Sequence, residues 1–117
     1  MATTTTEGLA GRIAAVVTAW PGVTAQAHSF GGVEFRLGRR ELGHVHGDRL
    51  ADIPFPKRVR DELVRKGRVR PHHVLPSSGW ASRSIGSPAD ADEVIELLRL
   101  NYDRAVAASE RHRGGGV

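Results

Sequence analysis

Histidines are concentrated in the middle of this 117-residue sequence, where five of the six lie between His28 and His73. Two form the pair His44 and His46, and two more are the adjacent His72 and His73. Imidazole has its ordinary pKa near neutrality, so imidazoles gathered in one pocket can accept and donate protons at working pH. The clustering predicts catalytic proton transfer by His44, His46, His72 and His73.

The same histidines also permit a metal site. On a strand, the spacing of His44 and His46 places two imidazoles on one face, and His72 or His73 could supply a third ligand. The local spacing does not complete a ligand set, because the candidate carboxylates are ambiguous: Glu34, Glu41, Asp48 and Asp52. We therefore predict no metal and keep a histidine-ligated metal enzyme as an alternative. A purely structural role, in buried hydrogen bonds, is a further alternative.

Four other residues are predicted to bind substrate. Glu34 and Arg36 fall on the polar side of an alternating segment and could orient an anionic or hydroxylated ligand through charge-assisted bonds. Trp80 follows a turn, and Phe55 stands between two prolines. Both aromatic rings are candidates for the wall of a pocket, although packing in the core would explain them equally well.

The first half of the chain must position these residues on strands. Thr4 and Glu7 have the spacing of a capping box and predict the start of a first helix, whose apolar residues from Leu9 to Trp20 follow a helical period. Alternation from Val23 to His46, with turns at residues 31–32 and 39–40, then predicts three strands. In the third of these, strict alternation places Leu42 on the same face as the two histidines.

The second half is punctuated by proline and glycine. Residues 52–56 are predicted to form a stiff extended linker, and Pro56 to begin a helix that ends at Gly67. Residues 69–76 are extended, residues 80–85 form a fourth strand, and a long last helix begins at Ser87 and Pro88.

This order of elements predicts an α+β fold. Helices should cover one face of a mainly antiparallel sheet of about four strands in a two-layer sandwich, and the second face could hold a ligand. We expect a disordered leader at residues 1–6, one domain at residues 7–108 and a flexible tail at residues 109–117.

Composition narrows the functional classes. The sequence has no cysteine, which excludes disulfides, thiolate nucleophiles and zinc sites built from sulfur. It also has no phosphate-binding glycine loop, dinucleotide fingerprint or nucleophile elbow. The net charge of +4 is scattered along the chain, so nucleic-acid binding is not expected. No apolar run approaches the ~20 residues of a membrane span, and we expect a cytoplasmic protein.

Four segments resemble the luciferase-domain family, which includes the fungal luciferases. They are residues 41–47 (ELGHVHG), 52–56 (DIPFP), 71–76 (PHHVLP) and 78–80 (SGW). The resemblance implies an oxygen-dependent enzyme, because fungal members oxidise 3-hydroxyhispidin, a hydroxylated styryl-pyrone, with molecular oxygen and emit light without a known cofactor. Fungal members also carry an amino-terminal hydrophobic segment, whereas this chain begins with polar threonines, as a soluble bacterial-type relative would.

We therefore predict a cofactor-independent oxygenase acting on a small enolisable aromatic compound of the hydroxypyrone type, with or without light emission. A histidine would remove a proton from the enol, and the anion would react with oxygen while Arg36 or a second imidazole stabilises its charge. Trp80 and Phe55 would enclose the ring. The alternative from another class is a non-catalytic module that binds a small ligand in the same pocket.

Overall fold

The computed structural model describes residues 2–28, 31–72 and 74–115, with side chains described between residues 8 and 111. Six strands and three helices form this part of the chain. Their order is α1 (Ala2–Val17), β1 (Val23–His28), β2 (Gly32–Leu37), β3 (Arg40–His46), β4 (Leu50–Pro54), α2 (Lys57–Arg65), β5 (Arg70–Pro71), β6 (Trp80–Ser84) and α3 (Pro88–Gly115).

The strands form one sheet in the order β1-β2-β3-β4-β6-β5, and every described pair is antiparallel. The predicted α+β class is confirmed, with two strands more than predicted. One is the short β5. The other is β4, which lies between β3 and β6 where a linker was predicted. The prolines in residues 52–56 led to the prediction of a linker, and Pro54 is the last residue of this strand.

The helices cover one face of the sheet and enclose the hydrophobic core. On this face, Phe35 of β2 and Ile53 of β4 are almost completely buried. Helices α1 and α3 pack against each other and supply the opposing side chains, among them Ile13, Val17, Val94, Leu97 and Leu98. Trp20 packs on Tyr102 with ring centroids 5.3 Å apart, so its predicted role in packing is confirmed.

A β-bulge in β3 changes which residues accompany the histidines. Phe35 pairs with Gly43 and Arg36 with Glu41, so Leu42 is the extra residue of the bulge. Leu42 is fully buried in the core, and Asn101 of α3 donates a hydrogen bond to its carbonyl oxygen at 3.0 Å. The prediction that Leu42 shares the face of His44 and His46 is therefore wrong.

Glycine shapes the chain on either side of the segment between α2 and β6. Gly67 ends α2 as predicted, with a φ of 73° that side chains rarely adopt. Gly79 lies so close to Phe55 that a Cβ atom there would stand 1.8 Å from the Phe55 carbonyl oxygen. The Phe55 amide donates to the Gly79 carbonyl at 3.0 Å. Glycine at 79 therefore lets the turn before Trp80 close against the end of β4.

The predicted limits of the domain, with a leader at residues 1–6 and a tail at residues 109–117, stay predictions. No helix in the described ranges is long and apolar enough to cross a membrane.

Candidate functional site

A row of polar side chains crosses the sheet on the face opposite the core. Directly paired residues of neighbouring strands point to the same face. The pairing runs from β2 through β3, β4 and β6 to β5, and the row consists of Glu34, His44, Asp52, Ser82 and Arg70. We call this side of the sheet the polar face.

Asp52 lies at the centre of the polar face and is almost fully buried. Its Oδ2 atom is 3.2 Å from Nε2 of His46, 3.5 Å from Nε2 of His44 and 3.7 Å from Nε2 of His72. Its Oδ1 atom accepts a hydrogen bond from the Ser82 hydroxyl at 2.6 Å. One carboxylate therefore connects β3, β4, β6 and the segment after β5.

His44 lies between two carboxylates. Its Nδ1 atom is 2.7 Å from Oε2 of Glu41, and its Nε2 atom faces Asp52. Burial by itself would lower the pKa of His44, but hydrogen bonds and charges from Asp52 and Glu41 outweigh it and raise that pKa to about 9. Burial would raise the pKa of Asp52, but hydrogen bonds from His44 and Ser82 outweigh it and lower that pKa to about 2. At neutral pH these two residues form a charged pair.

A second ion-paired group lies beside the first, on β1 and β2. Nδ1 of His28 is 3.1 Å from Oε1 of Glu34, and Arg36 donates to the other oxygen of the same carboxylate. Burial opposes ionisation of Glu34, but the hydrogen bonds from His28 and Arg36 lower its pKa overall. Arg36 also donates to the Arg39 carbonyl oxygen at 2.5 Å. Its guanidinium is thus already bound within the protein.

Aromatic contacts join the two groups into one cluster. The ring of His28 stacks on that of His44 with centroids 4.0 Å apart, and His46 meets His44 edge-on at 4.8 Å. Trp80 packs against both His44 and His72, at 5.4 and 6.4 Å. Stacked and edge-on rings at these distances hold one another in fixed orientations.

The segment after β5 fixes the orientation of His72. The backbone amides of Val74 and Leu75 donate to its Nδ1 atom at 3.1 and 3.2 Å. Because Nδ1 accepts these bonds, the ring proton is on Nε2, the atom that faces Asp52. Val74 and Leu75 are themselves exposed apolar side chains at the edge of the cluster.

Most of the residues predicted from the sequence come together here, namely Glu34, Arg36, His44, His46, His72 and Trp80. Phe55 does not, because its side chain is buried in the hydrophobic core. His73 lies outside the described residues. The catalytic and substrate-binding roles given to these residues stay predictions.

Four members of the cluster had no assigned role in the sequence: His28, Glu41, Asp52 and Ser82. Glu41 and Asp52 stood only among ambiguous carboxylates. Asp52 occurs in the 52–56 motif, which was a usable signal. His28 stacks on His44 and Ser82 pairs with Asp52, both distant in sequence, and no local pattern marks either contact.

A metal ion could be held by His44, His46 and Asp52. One potential ligand atom from each of these residues lies within 4.8 Å of the others. Two imidazoles and a carboxylate are the donor set of several catalytic metal sites.

A comparison with known families shows to which family the chain belongs. The family model of the Luciferase domain matches residues 39–101, more than half of the chain. The chain belongs to the luciferase-domain family. The resemblance seen in its histidine motifs is thereby confirmed. A search of curated proteins and a search of solved structures each found no match. Within the cluster, the matched segment includes Glu41, His44, His46, Asp52, His72, Trp80 and Ser82.

Proposed function

We propose that this member of the luciferase-domain family is an oxygen-dependent enzyme that oxidises a small enolisable aromatic compound of the hydroxypyrone type at the polar face of its sheet. Family membership supports a luciferase-like function in general. The observation that carries the proposed site is the convergence of His44, His46 and His72 on Asp52, beside the indole of Trp80. Groups able to handle protons thus adjoin an aromatic surface.

His28 is the base in this proposal, and Glu34 positions it. With the Nδ1 proton donated to Glu34, Nε2 of His28 has a lone pair that can accept the enol proton of the substrate. Arg36 holds the Glu34 carboxylate from its other side and so acts through Glu34, not on the substrate. This differs from the role predicted for Arg36 from the sequence.

Positive charge lies next to the base. His44, which its raised pKa keeps positively charged at neutral pH, is stacked on the ring of His28. An enolate formed at His28 is therefore close to a positive charge that stabilises it. The electron-rich carbon of the enolate then forms a bond to one atom of O2, and the O=O π bond breaks to give a peroxide. The substrate supplies both electrons, so this step needs no external reductant. Trp80 provides the aromatic surface on which a flat ring can stack.

Oxygen uptake with simultaneous photon counting tests the proposal. Untagged protein is mixed with 3-hydroxyhispidin, and the same assay is run on His28→Ala and on His112→Ala, which changes a histidine near the carboxyl end of the chain, distant in sequence from the cluster. We expect uptake by the wild-type protein and His112→Ala, and a loss of about 10²-fold or more in His28→Ala. Equal uptake by all three proteins would contradict the role of His28, and no uptake with any enolisable aromatic would contradict the function.

One observation favours a second function, a non-catalytic binding module. In the described part of the chain, no buried side-chain nitrogen or oxygen lacks a hydrogen-bond partner. A cluster satisfied in this way can present a rigid surface to a ligand without reacting with it. Calorimetric titration with the same compound distinguishes the two functions, because a binding module gives saturable binding without oxygen uptake.

A further inference from the structure

We infer that His44, His46 and Asp52 form a binding site for one divalent first-row transition-metal ion. This inference rests on the proposed function and deepens it, because the ion would stand where the substrate anion needs positive charge. It would also replace the cofactor-independent mechanism predicted from the sequence with a metal-assisted one.

The two distances from Asp52 Oδ2 to the imidazole nitrogens suit two ligands of one metal ion, and the shorter of them also lies at the long end of the hydrogen-bond range. Asp52 Oδ2 is 3.2 Å from Nε2 of His46 and 3.5 Å from Nε2 of His44. Charge-assisted hydrogen bonds between such groups are shorter, at about 2.7–2.9 Å. By contrast, ligands about 2.0–2.2 Å from a zinc-sized ion are separated from one another by about 3.0–3.5 Å in tetrahedral or octahedral geometry.

The Nδ1 atom of His44 makes a shorter contact than its Nε2 atom does. Nδ1 of His44 is 2.7 Å from Glu41, so the proton on Nδ1 is donated to that carboxylate. The ring is thereby oriented with Nε2 toward Asp52. A histidine that binds a metal through one nitrogen usually donates its other N–H to a carboxylate in this way. Glu41 and Asp52 together favour positive charge at Nε2, and a metal ion would take the place of the proton that Nε2 carries in the charged pair with Asp52.

The two oxygens of Asp52 have separate partners. Oδ1 accepts the hydrogen bond from Ser82, while Oδ2 faces the imidazoles. A carboxylate held by one oxygen is oriented to bind an ion through the other, and hydrogen-bonded ligands of this kind are typical of metal sites. The β4–β6 pairing places Ser82 directly opposite Asp52.

The third imidazole near Asp52 is excluded as a ligand in its present tautomer. Because Nδ1 of His72 accepts two backbone amides, Nε2 carries a proton and cannot bind an ion. His72 instead faces the Asp52 carboxylate at 3.7 Å, from outside the ligand set. Among the described residues, the clustered ligand atoms belong to His44, His46 and Asp52, and His28 is not one of them. The geometry thus selects two of four neighbouring imidazoles.

The donor set indicates the class of ion. Two histidines and one carboxylate that leave other coordination positions open are the donor set of non-haem Fe(II) oxygenases, and a similar set binds catalytic zinc. Calcium and magnesium prefer oxygen ligands and fit this set poorly. A first-row ion with open positions can bind an enolate oxygen of the substrate, which is the charge stabilisation that the proposed reaction needs.

Co²⁺ binding tests the inference without requiring activity. Untagged protein is treated with a chelator, checked by circular dichroism and titrated with Co²⁺ by calorimetry and visible absorption. We expect about one ion per chain, no saturable site in His46→Ala or Asp52→Asn, and affinity about 10–100-fold weaker in Glu41→Gln. His112→Ala is the matched control, because it removes a histidine near the carboxyl end of the chain, distant in sequence from the three ligands, and it should bind as wild type does. Ser82→Ala should bind more weakly than this control.

Absence of saturable Co²⁺ binding by folded chelator-treated protein would overturn the inference, as would equal losses in His112→Ala and His46→Ala. The outcome is separable from that of the proposed function. Co²⁺ binding with the expected variant pattern, together with no oxygen uptake after Fe²⁺ loading, would leave the metal site standing and remove the oxygenase. Full oxygen uptake by metal-free protein that binds no Co²⁺ would remove the metal site and leave the oxygenase standing.

Discussion

The two faces of the sheet are built from the same strands and differ in almost every other respect. On β2, Phe35 points into the core beneath the helices, whereas its neighbour Glu34 belongs to the polar face. On β4, Ile53 and Asp52 divide in the same way. Because successive side chains of a strand point to opposite faces, one stretch of sequence serves two functions. The helix-covered face holds the fold together, and the polar face gathers groups that can do chemistry.

The two faces also differ in their energetics. Removing apolar surface from water stabilises the folded state directly, and this is the contribution of the helix-covered face. Charged groups on the polar face lose hydration when they are buried, and their ion pairs mainly offset that cost. We therefore expect substitutions on the helix-covered face to lower stability and substitutions on the polar face to change binding and activity.

The largest effect on stability is expected from Phe35→Ala. This side chain is completely buried, and truncation of a buried phenylalanine costs about 3–5 kcal/mol. Urea unfolding followed by circular dichroism measures the change. A loss below about 1 kcal/mol would contradict the view that the helix-covered face dominates stability.

The second largest effect on stability is expected from Gly79→Ala, in the turn before Trp80. A Cβ atom at this position would overlap the Phe55 carbonyl oxygen, and such overpacking costs about 1–3 kcal/mol, occasionally more. The matched control is Gly86→Ala, where the nearest atom to a new Cβ is at an ordinary 3.6 Å. Thermal unfolding of both variants provides the comparison. Equal melting temperatures for the two variants would contradict the expected clash between a Cβ atom at position 79 and the Phe55 carbonyl oxygen.

Asn101→Leu breaks the link between α3 and the bulge behind the polar face. Its side chain donates to the carbonyl oxygens of Leu42 at 3.0 Å and Pro54 at 2.6 Å. Leaving buried carbonyls without donors costs about 1–3 kcal/mol. Since the bulge places Glu41 beside His44, we also expect weaker Co²⁺ binding. Loss of stability with unchanged Co²⁺ affinity would mean that the polar face does not depend on this link.

The smallest effect on stability is expected from Glu34→Gln, one residue from Phe35. Glutamine keeps the shape and an acceptor oxygen, so we expect a loss of only about 1 kcal/mol. Oxygen uptake should nevertheless fall, because a neutral amide positions His28 less firmly. A variant as unstable as Phe35→Ala would remove the distinction between the two faces. Uptake equal to wild type would instead remove Glu34 from the proposed mechanism.

Local pattern accounts for much of this arrangement. Alternation in β2 predicted that Glu34 and Arg36 share a face, and the spacing of His44 and His46 placed both imidazoles together. Local pattern failed where pairing partners decide the outcome. Leu42 entered the core because β3 contains an extra residue opposite β2, and strict alternation cannot anticipate a bulge.

The central position of Asp52 in the site was harder to predict than the participation of the histidines. Asp52 acquires its role from His44, His46 and Ser82, which reach it only through the β3–β4 and β4–β6 pairings. The flanking prolines made its strand look like a linker. His28 likewise meets His44 across β2, and no spacing along the chain signals a contact between them. Tertiary register, not local propensity, assembled the cluster.

The helix side of the molecule offers a rival position for a small apolar ligand. A groove of about 630 Å³ lies between α3 and the turn after β2, lined by Leu37, Gly38, Ala105 and Ala108 among others. Its lining includes several apolar residues but contains no histidine and no carboxylate. The proposed function therefore requires the substrate to bind at the polar face and not in this groove.

Nuclear magnetic resonance tests that requirement most directly. Isotope-labelled protein is titrated with 3-hydroxyhispidin under anaerobic conditions, and the chemical shifts are followed. Without oxygen the compound can bind but not react, so the shifts report position alone. The proposed function predicts saturable shifts at His28, His44 and the Trp80 indole, with little change at Leu37 and Ala105. Shifts concentrated at Leu37 and Ala105, with the imidazoles unchanged, would contradict the assignment of the polar face as the active site.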